Sequence, residues 1–204
     1  MAAPPVPESP TLPRLREAVQ GCRACSLWKG TTQAVLGEGP RKATAMLIGE
    51  QPGDREDREG HPFVGPAGGM LDRALRDAGI ARDEVYITNV VKHFSYKQRG
   101  KRRIHQKPTK EQVAACRPWL DAELAVVRPR VLVCLGATAA QALLGSRVRV
   151  TRDRGQPLET PLAECAFVTV HPSSILRAPD DESRRAAFTD FVRDLERVAE
   201  ALHG

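Results

Sequence analysis

Four short apolar runs, each ending in glycine or a polar turn, dominate the pattern along the chain. They are ATAMLIGE (43–50), EVYITNVV (84–91), RVLVCLGA (130–137) and CAFVTVHP (165–172). Near-continuous aliphatic and β-branched character, with little polar alternation, marks strands buried on both faces. Between them the apolar spacing changes to that of helices. AGGMLDRALRDAGI (67–80) has an apolar stripe, with Gly79 as a C-terminal stop. A second helix starts at Thr109, has Glu111 in its first turn and presents Val113, Cys116, Leu120 and Leu124. TAAQALLG (138–145) predicts a short helix closed by Gly145, and DESRRAAFTDFVRDLERVAEAL (181–202) a long terminal one. Leu15 to Cys22 predicts a short amphipathic helix, and the residues between Val91 and Thr109 a basic loop.

Strands alternating with helices imply an α/β fold: a three-layer α/β/α sandwich around a central, mainly parallel four-stranded sheet. The Pro-rich opening, residues 1–12, is expected to be a flexible tail, and 13–204 a single domain. Ligands of such sheets sit at the carboxyl ends of the strands. The segments following the four strands are GEQPGD (49–54), NVVKHF (89–94), GATAA (136–140) and HPSS (171–174). They are therefore expected to gather at one edge.

Charge adds a direction. The net charge is +6 and the isoelectric point is near 9.3. Its distribution says more than its total. From Val85 to Lys110 there is no Asp or Glu, while Lys92, Lys97, Arg99, Lys101, Arg102, Arg103, Lys107 and Lys110 supply eight cations, leaving the rest of the chain slightly acidic. Tyr86, Phe94 and Tyr96 lie within the same segment. Cations interleaved with aromatics suit a nucleic-acid backbone, although a solvated basic loop has the same composition. No apolar run reaches membrane-spanning length and no signal pattern opens the chain, so a cytoplasmic protein without membrane contact is expected, as a monomer.

Candidate chemistry lies in the strand-end segments. Gly49 and Gly53 allow a tight turn with close ligand approach, or simply a turn. Phe63, in the Pro- and Gly-rich HPFVGPAG (61–68), is either a core anchor or a flat stacking platform. HPSS offers backbone N–H groups and the hydroxyls of Ser173 and Ser174 to a phosphate or carbonyl, while His171 could equally be a satisfied helix-start residue. Cys22 and Cys25 form a CxxC, which alone fits a redox pair, zinc or an iron–sulfur site. Cys134 and Cys165 lie in apolar strands as core residues; Cys116 is free to be a third ligand.

Taken in order, GEQPGD, HPFVGPAG, YITNVVKHF, GATAA and HPSSILR resemble the uracil-DNA glycosylase superfamily, in its iron–sulfur branch related to family 4. The string KRRIH (101–105) resembles the UdgX type within that branch, which binds covalently to DNA after uracil is excised. The resemblance implies base excision in DNA repair on uracil-containing DNA, preferably single-stranded. It implies that Phe63 stacks on a flipped uracil and that Asn89 reads its amide edge. Gln51 and the backbone of its turn would contact the base or sugar side. His171 would donate toward the uracil O2, and Glu50 and Asp54 would organise the site or stabilise positive charge developing on the sugar. Lys101, Arg102 and Arg103 would hold phosphates, with Ser173 and Ser174. A [4Fe–4S] cluster would be held by Cys22, Cys25, Cys116 and, where family 4 has a cysteine, His93; structural zinc is the chemical alternative.

His105 gains a target from the same resemblance. Loss of uracil leaves an oxocarbenium-like sugar, electrophilic at C1′, and an oriented imidazole would outcompete water there. The expected product is a covalent adduct with no leaving group. Two other readings use the same sequence: a hydrolytic uracil-DNA glycosylase that turns over, and a non-catalytic iron–sulfur DNA-binding module or redox sensor.

Overall fold

The computed structural model describes residues 5–204. Part of the expected tail, residues 1–4, lies outside the described residues. Within the rest of it, Val6 packs against the core, and the first helix, α1 (Leu12–Val19), starts at Leu12. Thr11 caps it, accepting from the Arg14 N–H at 3.4 Å, so the helix begins slightly earlier than the apolar pattern implies.

Four parallel strands form the sheet: β1 (Ala45–Gly49), β2 (Val85–Asn89), β5 (Val131–Leu135) and β6 (Cys165–Thr169), in the order β2-β1-β5-β6. In β1, β2 and β5 every residue is buried, which is why they read as unbroken apolar runs. The two-residue period divides their side chains between two cores. Met46, Ile48, Leu132 and Cys134 pack with α1, α4 (Lys110–Val127) and α5 (Ala137–Leu144). Leu47, Ile87, Val133 and Leu135 pack with α3 (Pro66–Asp77), α7 (Pro172–Leu176) and α8 (Asp181–His203). The three-layer α/β/α sandwich is thus observed, with a wholly parallel sheet. No described helix is long and apolar enough to cross a membrane.

Helix ends follow their sequence signals. Thr109 caps α4 and accepts from Gln112 N–H, while the Gln112 side chain accepts from Thr109 N–H at 2.8 Å. Two short helices are additional: α2 (Asp54–Glu59), whose six charged residues show no apolar stripe, and α6 (Val150–Asp153).

The largest departure from expectation is the basic loop. It is an antiparallel hairpin of β3 (Tyr96–Arg99) and β4 (Arg102–His105), pairing Tyr96 with His105 and Arg99 with Arg102. Gly100 sits at its turn with φ 57°. Its strands are mostly exposed and cationic, so no apolar alternation announces them.

Candidate functional site

The strand-end segments do converge. Register places Gly49 beside Asn89. Val90 N–H donates to Gly49 O at 2.9 Å, and Val91 N–H to Glu50 O at 3.0 Å, which locks the β1 and β2 exits together. Gly49 is required here: a Cβ would overlap both Asn89 Oδ1 and the Phe63 ring. Asn89 is only 2% exposed, and its Oδ1 is a buried acceptor with no partner. Buried polar atoms are rarely left unpaired, so an orphan acceptor close to the Phe63 ring is a candidate ligand position.

Phe63 is held in the left-handed region, φ 56°, an uncommon state for a non-glycine residue. Its ring stacks on that of His171, with centroids 5.8 Å apart and planes at 29°. His171 caps α7: its Nδ1 accepts from the Ser173 N–H at 3.2 Å. An accepting Nδ1 leaves the neutral ring its proton on Nε2. Burial pulls the His171 pKa down to about 4, and the Arg177 and His105 charges also lower it against the opposing pull of Glu50. At neutral pH the ring is therefore an uncharged donor through Nε2. The serine hydroxyls expected to meet phosphate are engaged locally. Ser173 Oγ lies 2.9 Å from His171 Nδ1 and accepts from Arg177, while Ser174 Oγ donates to His171 O at 2.7 Å.

Glu50 leaves β1 toward the same space. Thr138, in the first turn of α5, donates from its hydroxyl to Glu50 Oε2. His105 Nε2 lies 3.2 Å from Glu50 Oε1. Burial raises the Glu50 pKa, but the hydrogen bonds of His105 and Thr138 and the charges of His105 and His171 outweigh it and hold the carboxyl below its ordinary range.

The hairpin that brings His105 there is clamped at two places. Gln51 uses its whole amide: Nε2 donates to Ser95 O at 3.1 Å and Gln106 O at 3.0 Å, and Oε1 accepts from Ser95 N–H at 2.9 Å. Its side chain therefore holds the two ends of the hairpin, and only the backbone of its turn remains for a base. Arg103 is the second clamp. Its guanidinium binds Asp54 Oδ1, and Nη1 donates to Asp57 Oδ2 at 2.6 Å. It also lies over the Tyr96 and Phe94 rings, at 5.1 and 5.5 Å. With a side chain 11% exposed, Arg103, expected at a phosphate, has its charge engaged by Asp54 and Asp57. Lys97, Arg99, Lys101 and Arg102 remain exposed on the hairpin. Asp54 faces Arg103 and Arg58 rather than Glu50; these two cations outweigh the raising effect of its slight burial and hold its carboxyl below its usual range.

The three cysteines expected as metal donors lie near one another, with Cys25 and Cys22 both acting on the Cys116 thiol, and His93 follows Lys92, whose backbone N–H reaches Cys116. Cys22, Cys116 and His93 are buried and Cys25 is partly so. Trp119 Nε1 donates to Cys22 Sγ at 3.3 Å, and Lys92 N–H donates to Cys116 Sγ at 3.2 Å. Burial pushes the Cys116 thiol up to about 12; Lys92 opposes this, and the neighbouring Cys25 and Cys22 add to it. Burial, with Arg23 beside it, brings His93 down to about 4 against Asp57, so it is neutral, the ligating form. Among the described residues no three His, Cys, Asp or Glu donors converge tightly enough for a single metal ion. A four-iron cluster is a larger body than a single ion and spreads its ligands. Sulfurs already receiving N–H donors suit that group, since such bonds stabilise thiolates around a cluster.

Residues 36–196 match the family model described as the uracil DNA glycosylase superfamily. The chain belongs to the uracil DNA glycosylase superfamily. It is 40% identical over 178 residues to the type-4 uracil-DNA glycosylase of Thermotoga maritima, covering 87% of this chain and 89% of that protein. It is 35% identical over 195 residues to the type-4 uracil-DNA glycosylase of Sulfurisphaera tokodaii, covering 91% and 84%. With that of Pyrobaculum aerophilum it shares 37% over 191 residues, covering 90% and 91%.

Other members of this site are less conspicuous in the sequence. Thr138, within GATAA, puts a hydroxyl in the first turn of a helix at a strand exit, a ready partner for Glu50. Asp57 is signalled by its spacing from Asp54, three residues along one helix face. Lys92 and Glu123, both fully buried, carry no local signal.

Proposed function

We propose that this protein excises uracil from DNA, preferably single-stranded, and is then joined to the abasic sugar through His105. The single observation carrying this reading is the position of His105: a hairpin clamped by Gln51 and Arg103 puts its Nε2 3.2 Å from Glu50 Oε1, within the Phe63–Asn89–His171 constellation. Uracil excision itself is supported by membership of the superfamily and by relatives named type-4 uracil-DNA glycosylases.

Each residue has a task. Phe63 stacks on the flipped base, and the amide of Asn89, with its orphan Oδ1, pairs with the N3–H edge. As the C1′–N1 bond breaks, its electron pair leaves with uracil, and His171 Nε2–H donates to the O2 that takes up the charge. The sugar becomes cationic at C1′, and the Glu50 carboxylate stabilises it. A neutral His105 ring nitrogen then gives its lone pair to C1′, forming a C–N bond. The positive charge passes to the imidazole, beside Glu50, which can accept the ring proton. Lys101 and Arg102, exposed on the hairpin, meet phosphates.

Cys22, Cys25, Cys116 and His93 would hold a [4Fe–4S] cluster, which ties the segment around Cys22 to α4. Such a cluster gives the purified protein a brown colour and visible absorbance, both lost when Cys116→Ser removes a ligand.

Incubation with uracil-containing single-stranded DNA tests the reading. The expected product is a conjugate that survives SDS and boiling, is absent with uracil-free DNA and is abolished by His105→Ala while uracil is still released. Abasic DNA with repeated turnover would identify a hydrolytic glycosylase instead; no uracil release at all would leave a DNA-binding module.

A further inference from the structure

Behind the base-reading edge lies an ion pair with no task in the chemistry above. Lys92 and Glu123 are both fully buried, and Nζ lies 2.5 Å from Glu123 Oε2. The ammonium has three donors and three partners: that carboxylate, the Thr88 hydroxyl at 2.8 Å and the backbone carbonyl of Asn89 at 2.6 Å. Glu123 is equally occupied, its Oε1 accepting from Gly37 N–H at 2.8 Å, Tyr86 OH at 2.9 Å and Thr88 Oγ1 at 2.9 Å. Burial, together with Glu123, pushes the Tyr86 pKa up, so the phenol stays a donor. The same Lys92 donates its backbone N–H to Cys116 Sγ at 3.2 Å.

Two charges withdrawn from water are seldom better for stability than apolar residues of the same volume. What this pair provides that an apolar pair cannot is direction. It fixes the carbonyl of the last residue of β2, the residue whose side-chain Oδ1 is left buried without a partner. An unpartnered amide can rotate or swing with its backbone. Its power to tell a base presenting N3–H from one presenting a bare N3 depends on its being held still.

We propose that Lys92, oriented by Glu123, is the positioning residue for Asn89 and so sets how well the site reads uracil. This rests on the excision reading, and deepens it by naming what holds the specificity-determining amide. The pair does not touch the substrate. It acts through one carbonyl, and its backbone N–H ties that carbonyl to the cysteine centre.

Lys92→Met with Glu123→Gln removes both charges at nearly constant volume, and the glutamine keeps an acceptor for Gly37 and Tyr86. The expected double variant is folded, melts near the wild type and binds uracil-free single-stranded DNA within twofold of it. Its single-turnover uracil release falls at least tenfold, and the Asn89 side-chain amide resonance of the DNA-free protein shifts or broadens. Glu123→Gln alone, which loosens Lys92 without removing it, gives a smaller loss in the same direction. It carries the test if the double variant does not fold. An unmoved Asn89 resonance with release within twofold of wild type, in whichever variant folds, overturns the proposal. Should the wild type itself release no uracil, the excision reading fails, while the Asn89 resonance still decides whether Lys92 positions that amide.

Discussion

Nε2 of His105 stands 3.2 Å from Oε1 of Glu50, bringing the end of an exposed cationic hairpin against the exit of the inner strand β1. The other carboxylate oxygen is taken by the Thr138 hydroxyl. Glu50 therefore has one oxygen fixed by the sheet side of the site and one facing the hairpin, placed to respond to charge on a sugar and on the imidazole alike. Glu50→Gln keeps the shape and removes the charge. Single-turnover uracil release is expected to fall on the order of 10²-fold, the usual consequence of deleting one preorganised electrostatic group, with affinity for uracil-free DNA unchanged. Release within threefold of wild type would show that the carboxylate is not stabilising the sugar cation.

Arg102 and Arg103 are adjacent in sequence and are expected to behave differently. Arg102 is exposed on the hairpin, whereas Arg103 is held by Asp54 and by the fully buried Asp57. Replacing Arg102 with Met should weaken DNA binding and reduce the slope of log affinity against log salt by about 1. Replacing Arg103 with Met leaves Asp57 buried beside only Thr32 N–H, at a cost of about 3 kcal/mol. Its salt slope should stay that of the wild type, while conjugation through His105 drops more than uracil release. Affinity titrations between low and moderate salt check this. A lowered slope in Arg103→Met would return that arginine to the phosphates.

These two arginines also show where the sequence is informative and where it is silent. The β1, β2 and β5 strands are legible because burial on both faces demands unbroken apolar runs. The helices around them are legible because one face is buried and their ends carry Thr109, Gly79 or Gly145. The hairpin is not. Its residues are polar, and what holds it are contacts from Gln51 to Ser95 and Gln106 and from Arg103 to Asp54 and Asp57, all more than forty residues apart. Charge pattern alone gives Arg102 and Arg103 the same role, because composition cannot register that an acidic helix face stands opposite one of them. Glu50, Asn89 and His171 were legible as candidates because each lies at a strand exit, and Phe63 because an aromatic ring stands out in a Pro- and Gly-rich loop. Lys92 and Glu123 were not, because a long-range buried pair leaves no periodic trace.

The His171 ring gives a pH dependence with a definite sign. Its pKa is about 4 in the fold against an ordinary value of about 6.5. The folded state favours the neutral ring, so its contribution to stability is fully present above about pH 6.5 and is lost as the pH falls toward 4. Protonation at Nδ1 would also remove the acceptor of Ser173 N–H and loosen the start of α7. Uracil release should therefore be level from pH 8 to about 5 and fall near 4, when the pocket acquires a cation. A pH series of single-turnover rates, with melting curves for wild type and His171→Gln, checks both parts. The glutamine variant should lose part of the acid-side decline in stability. An inflection of release near 6.5 would mean that the ring titrates as in water.

Gly68 and Gly69, consecutive in α3, separate packing from helix propensity next to the stacking platform. A Cβ on Gly68 would run into the backbone of Phe63, its carbonyl above all, whereas one on Gly69 meets nothing within 4 Å. Backbone already held at φ 56° has no easy way to yield. Gly68→Ala is therefore expected to destabilise by about 1–3 kcal/mol, as overpacking does, and to move the Phe63 ring off His171. Uracil release should fall in proportion to the lost stacking, about 1–3 kcal/mol per base. Gly69→Ala, in an exposed helical position, should leave release unchanged and raise stability by up to about 1 kcal/mol. Thermal melting and single-turnover release measured on the two variants side by side decide it: equal behaviour would mean that the Phe63 loop adapts freely and that its left-handed backbone is not what aims the ring.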